Sequence, residues 1–193
     1  MQIEAIFAIV KNSLLAVKFK GKRIDEFALL FRNWNDVAFL EQFFEDHKAD
    51  LQSGFFGEIT VENAVFRTIE EAEKMETYIR TCAKKGQIDP YNTLQDLVFK
   101  PLQKDDSSFQ HVKSKAYGQN NPSWLRLYAV RIHQNLYVVS GGAIKLTAKM
   151  NDKPHLVHEL KKLEETKEYL KEVGLYEEAD YEFIEITNYD KEI

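Results

Sequence analysis

A chain of 193 residues, 44% hydrophobic and with 13 Phe, can bury a sizeable core, and its net charge of −5 excludes a protein that is basic throughout. No run of about 18 apolar residues is present, and the N-terminus MQIEAIFAIVKNSLLAVKF has neither a basic first segment nor a small-residue cleavage site; neither a membrane span nor a signal peptide is expected, and the cytoplasm is the expected compartment. The single Cys82 excludes an internal disulfide and a multi-cysteine zinc site, and its place in an apolar helical row reads as a packed thiol.

Ile3, Ala5, Phe7 and Ile9 alternate with less apolar neighbours, Lys11-Asn12-Ser13 supplies a turn, and Leu14 to Phe19 is a second extended run, so the chain is expected to open on a β-hairpin. From Ile24 the period changes. Phe27, Leu30 and Phe31 mark one helix, while Asn35 and Asp36 cap a second that carries Leu40, Phe43, Phe44 and His47. The aromatics read as core. His47, with no second ligand-like residue at a suggestive spacing, reads as a surface or packing residue. Thr68-Ile69-Glu70-Glu71 reads as a capping box ahead of a helix with apolar positions Ile69, Ala72, Met75, Ile79 and Cys82, stopped at Gly86. Val61 to Phe66 is either a preceding turn or the front of the same helix. Thr93 and Asp96 cap a short helix that ends before Pro101.

Residues 103–123 are polar and show no sustained period, which makes them the longest expected loop, with room for a brief strand at Val112. Within them Lys113, Lys115 and Tyr117 alternate so as to set two ammonium groups beside an aromatic ring, as single-stranded nucleic acid requires; a mobile tether has the same look. The following segment, LRLYAVRIHQNLYVVSGGAIKLTAKM over 125–150, reads as two antiparallel strands joined at His133-Gln134-Asn135. On a strand an odd separation puts Arg126 and Arg131 on opposite faces, whereas Arg126 and Tyr128 share one. Gly141-Gly142 reads as a bend or bulge, and Lys145 and Lys149 follow at a spacing that fits a short strand or the start of a helix. Asp152 is the expected N-cap of a last helix, with Pro154 in its first turn. Its apolar side is Leu156, Leu160, Leu163, Leu170 and Val173, with Glu159, Lys162, Glu165 and Lys171 on other sides and Gly174 as its stop. Tyr181, Phe183, Ile184 and Ile186 mark a final strand or a docked tail. The whole is expected to be one α+β domain over 1–193, a mostly antiparallel sheet flanked by helices, with 1–100 as hairpin and helices and 101–193 as sheet and C-terminal helix.

Charge is distributed unevenly. From Lys100 to Met150 eight cations face two anions, a net +6 that leaves −11 for the remainder. That is either a local anion-binding surface on an acidic body or a set of solvated lysines facing neighbouring carboxylates. Walker-type glycine loops and serine nucleophile elbows are absent, and His155, His158 and Glu159 lack the order that places a base beside zinc, so neither a metal nor a cofactor is expected. Phosphate-directed chemistry by cations remains. Cutting an RNA phosphodiester needs an activated 2′-hydroxyl, neutralised phosphorane charge and a protonated leaving oxygen, which Arg, Lys, His and Tyr on a sheet can supply without metal. Arg126, Tyr128, Arg131, His133, Lys145 and Lys149 are the available set, with Lys113 and Lys115 as further RNA-binding candidates.

The run LRLYAVRIHQNLYVVSGGAIKLTAKMNDKPHLVHELKKLEE resembles the C-terminal half of the RelE/HigB-like toxin superfamily, in which an arginine-bearing hairpin leads into a Lys-rich, Thr-containing element, then a Pro and a helix. The matching pieces are Leu125-Arg126, Val130-Arg131, Leu136 to Val139, Ile144 to Lys149, Pro154, and Glu159 to Leu163. The resemblance implies a RelE-like core with an N-terminal extension, a metal-independent endonuclease acting on ribosome-bound messenger RNA, and a cognate antitoxin partner. Carried over by position, Arg126 or Arg131 is the phosphate-binding arginine and Lys145 with Lys149 the cationic support; the match assigns no general base. His133 or Tyr128 is the proton carrier available from the residues themselves. The chain departs from such toxins in its greater length, its acidity and the single lysine of Lys145-Leu146. The competing expectation is a non-catalytic interaction protein of phage or mobile-element origin on the same scaffold, binding a protein partner through its aromatic-rich N-terminal third.

Overall fold

A computed structural model describes residues 1–103, 110–148 and 153–181. Strands Ile3–Val10 (β1) and Leu14–Phe19 (β2) form the opening antiparallel hairpin, turned by Asn12 at a left-handed φ of 58° that asparagine tolerates. Three helices follow, Glu26–Trp34 (α1), Val37–Asp46 (α2) and Lys48–Leu51 (α3). The Asp25 and Asp36 carboxylates cap the first two, accepting from the Ala28 and Phe39 N–H groups.

The next helix, Val61–Lys85 (α4), corrects the expected capping box at Thr68. Thr60 is the N-cap, and Thr68 lies in mid-helix, where its hydroxyl donates to the Ala64 carbonyl at 2.7 Å and accepts from the Trp124 indole N–H at 3.0 Å. The buried indole needs an acceptor, and burial of Ala64, Val65 and Thr68 extends the core face upstream of the predicted start. Leu94–Leu97 (α5) carries the predicted Thr93 and Asp96 box. Two residues of edge strand, Lys100–Pro101 (β3), come next.

The long loop is interrupted where a brief strand is expected at Val112, but Val112–Tyr117 (β4) is a six-residue strand. It buries Val112, Ser114 and Ala116 on one side, and the polar residues between them concealed its full length. Leu125–His133 (β5) and Leu136–Ile144 (β6) form the central hairpin, and Pro154–Glu172 (α6) closes over it. The N-cap of α6 is Lys153, not Asp152. Gly174, at φ 74°, follows its C-cap as expected. Tyr181 ends a 3-10 turn over Glu178–Tyr181 instead of opening a strand, and the rest of the expected final strand lies outside the described residues.

Among the described residues the strands form one six-stranded mixed sheet in the order β1-β2-β6-β5-β4-β3, antiparallel except where β2 runs parallel to β6. The N-terminal hairpin therefore extends the sheet and is not a separate lobe. The protein is α+β. One face buries Leu125, Leu127 and Ala129 against α1, α2 and α4, and the other buries Tyr128, Val130 and Ile132 against Leu156, Leu163 and Leu170 of α6. No described helix is long and apolar enough to cross a membrane.

One irregularity shapes the rest. β2 and β6 pair only from Leu14 with Tyr137 to Ala16 with Val139, and a bulge follows in β6, where Tyr128 pairs with Gly141 while Ala129 pairs with Val139. Where the two strands part, Lys162 of α6 meets Glu26 of α1 at 2.5 Å and its own Glu159 at 2.9 Å, with its ammonium 5.8 Å from the Phe19 ring. The predicted solvent-facing Lys162 is thus buried, as are Glu26 and most of Glu159.

Candidate functional site

The sheet register decides which predicted residues meet. On the face toward α6, Lys113, Lys115 and Tyr117 of β4 stand opposite Val130, Tyr128 and Arg126 of β5, and Lys100 of β3 stands opposite Lys115. Residues opposite one another in a ladder share a face, so Lys100, Lys115, Tyr117 and Arg126 form one cationic and aromatic patch. The Arg126 guanidinium carbon lies 4.2 Å from the Tyr117 ring centroid and the Lys115 ammonium 5.8 Å from it. Tyr117 is 45% exposed. Arg126 also donates to the Ser123 and Leu125 carbonyls, at 2.9 and 2.7 Å, which holds its plane against the ring. Burial lowers its pKa from the ordinary arginine value, and it remains a cation at any physiological pH. Lys113 on the same face is engaged by Glu164 at 2.5 Å.

The remaining predicted residues are not presented on this patch. Arg131 lies five residues along β5 from Arg126, roughly 17 Å at strand rise, and faces the opposite side, where it donates to Gln95 at 2.8 Å. His133 is exposed at the β5–β6 turn and lines a separate cavity. Tyr128 is 1% exposed, and burial pushes its phenol well above the ordinary tyrosine range, so at neutral pH it is a hydrogen-bond donor and not a base. The Lys145 ammonium turns back on the Thr147 and Ala148 carbonyls, at 2.8 and 2.6 Å. Lys149 lies outside the described residues.

Two groups escaped sequence reasoning. Lys100 was visible only as a charge, since nothing local pairs a two-residue strand with Lys115. The Glu26, Lys162 and Glu159 triad had one signal: Glu159 falls between Leu156 and Leu163, inside the apolar row of α6. Burial raises the Glu159 pKa despite the adjacent Lys162. Gly141, at φ 147°, gives the triad its space, because a Cβ there would lie 2.1 Å from Glu159 Oε2 and 2.5 Å from Lys162 Nζ.

No group of three metal-ligating side chains exists among the described residues. His155 bonds the Ile144 carbonyl at 3.1 Å and packs its ring 4.9 Å from His47, while His111 bonds the Leu175 carbonyl at 2.9 Å. Burial lowers the pKa of His155 and of His111. Their neutral forms suit the fold, so their contribution is full above the unfolded value of about 6.5 and declines as pH falls toward the depressed folded values. A His111→Gln, His155→Gln variant is expected to lose less stability than the wild type on acidification from about pH 7 to 5.5, read as urea midpoints at each pH.

No protein-family model, curated protein or solved structure matches this chain. Its functional reading therefore rests on its own residues.

Proposed function

We propose that this protein is a toxin-like, metal-independent endonuclease of messenger RNA, paired with an antitoxin, and that it holds RNA on the patch formed by Lys100, Lys115, Tyr117 and Arg126. The observation that carries the RNA-binding half is the exposed Tyr117 ring bracketed by Lys115 and Arg126 on one sheet face. Such a surface neutralises phosphate and offers a π-face to an unpaired base. The cleaving half comes from the resemblance. Within this reading Arg126 is the phosphate-binding arginine.

A second reading is favoured by one observation: neither proton carrier is presented with Arg126, since Tyr128, its neighbour on the same face, is buried and His133 stands at the other end of β5. It is an interaction module that binds without cutting. Half of the N-terminal aromatics are buried, among them Phe27, Phe31, Trp34 and Phe44, and Phe39, Phe55 and the nearby Phe66 are exposed to a protein partner.

Anisotropy with a labelled single-stranded RNA separates these outcomes. Lys115→Ala and Arg126→Ala are each expected to reduce the slope of log affinity against log salt by about one. Tyr117→Ala should cost about 1–3 kcal/mol, and Arg131→Ala should leave binding unchanged. Arg126→Ala should also relieve growth arrest on expression. A wild type that binds RNA yet neither arrests growth nor cuts RNA with ribosomes present supports the second reading, and one without RNA affinity ends the first.

A further inference from the structure

The end of the molecule away from the Arg126 patch carries an apolar knob beside a hole. In the connection after α4, Ile88 and Tyr91 are 87% and 86% exposed, far more than their apolar surface favours. Their backbone is fixed: the Asp89 carboxylate accepts from the Tyr91 N–H at 3.0 Å and from the Asn92 amide at 2.6 Å. Immediately beside them, Gln87, Pro90 and Thr93 form one wall of a 460 Å³ cavity whose other walls are Asn12, His133 and Gln134. Its floor is rigid as well. The Asn135 side chain bonds Ser13 Oγ and the Ala83 carbonyl at 3.0 Å each and accepts from the Leu94 N–H at 2.9 Å, tying together the β1–β2 turn, α4 and α5.

We propose that this surface is a self-association site, where Tyr91 of each copy enters the cavity of a second copy of this chain with Ile88 covering its rim. A knob and a hole side by side on one rigid surface are complementary to themselves under a two-fold axis, which is the requirement of an isologous dimer. The cavity has the volume for one aromatic side chain, and its polar lining suits a phenol. Charge agrees with this. Glu178 is part of the cavity lining, and the exposed Lys11 and Lys85 directly adjoin the lining residues Asn12 and Gly86 in sequence, so a two-fold axis can set the positive groups of one copy against the negative group of the other on a chain whose net charge is −5.

Sedimentation velocity of the full chain from micromolar to submillimolar concentration tests this independently of RNA. The wild type is expected to dimerise as concentration rises, and Tyr91→Asp and Ile88→Asp each to weaken that association at least tenfold, with melting curves unchanged because both positions are exposed. Mixing a Tyr91→Cys chain with a Gln134→Cys chain under oxidising conditions should give a mixed disulfide. A wild type that stays monomeric over that range, a dimer indifferent to both aspartates, or a dimerising mixture without the cross-link overturns the proposal.

Discussion

Lys162→Met is expected to destabilise the protein by about 3–5 kcal/mol, measured as the shift in urea midpoint at neutral pH. In the native protein Lys162 is 8% exposed and joins Glu26 at 2.5 Å to Glu159 at 2.9 Å, closing the wedge between β2 and β6. Removing the ammonium leaves two largely buried carboxylates with no compensating charge, which costs more than the native triad contributes. The sign of the pH dependence follows from Glu159, whose pKa burial raises. A carboxyl raised in the folded state adds stability in full below its unfolded value, and that contribution is lost as pH rises through the folded one. Lys162→Met should therefore regain stability relative to the wild type as pH is lowered toward about 4.5. Adding Glu26→Gln and Glu159→Gln should restore most of the loss at neutral pH; a Lys162→Met deficit that these leave intact, or that is independent of pH, would show that the methylenes of Lys162 and not its charge hold the wedge.

Gly141→Ala is expected to cost at least ~3 kcal/mol. Two penalties coincide at this position. The backbone sits at φ 147°, which strains any side chain, and the new Cβ would lie within 2.5 Å of both Glu159 Oε2 and Lys162 Nζ. Neither end can swing away without breaking the triad, although both are long side chains. Glu159→Ala in the Gly141→Ala background should recover the part of the steric cost that comes from Glu159, so the two substitutions should couple in a double-mutant cycle, while the Lys162 contact and the backbone strain remain. Gly142→Ala meets a stiffer obstacle, the Arg126 carbonyl at 2.5 Å, and no single side-chain truncation should rescue it. Equal rescue of both glycine variants by Glu159→Ala would contradict this division.

The same two glycines show how far local pattern reached. Gly141-Gly142 was legible as a bulge, and the opposite faces of Arg126 and Arg131 followed from strand parity. The opening hairpin, the caps at Asp36 and Thr93, and the turn at Gln134-Asn135 were likewise written in neighbouring residues. The strand at β4 was legible only as a brief strand at Val112 and the alternation of Lys113, Lys115 and Tyr117, because its half-buried lysines and buried Ser114 make a polar run whose partner, β5, has to be present before alternation becomes burial. Nor was the partial dispersal of the predicted cations, since a segment count of +6 records charge and not direction.

Amino-acid order alone determined most of the elements, the faces of β5 and the residue types available for phosphate, because these depend on periodicity over a few positions. Tertiary structure alone decided that Lys100, Lys115, Tyr117 and Arg126 share one surface, that β2 lies parallel to β6, and that Glu26 reaches Lys162 across 136 positions of sequence. Those are outcomes of which distant segments pack together and in what register, a competition among whole-chain burials that no short window of sequence contains.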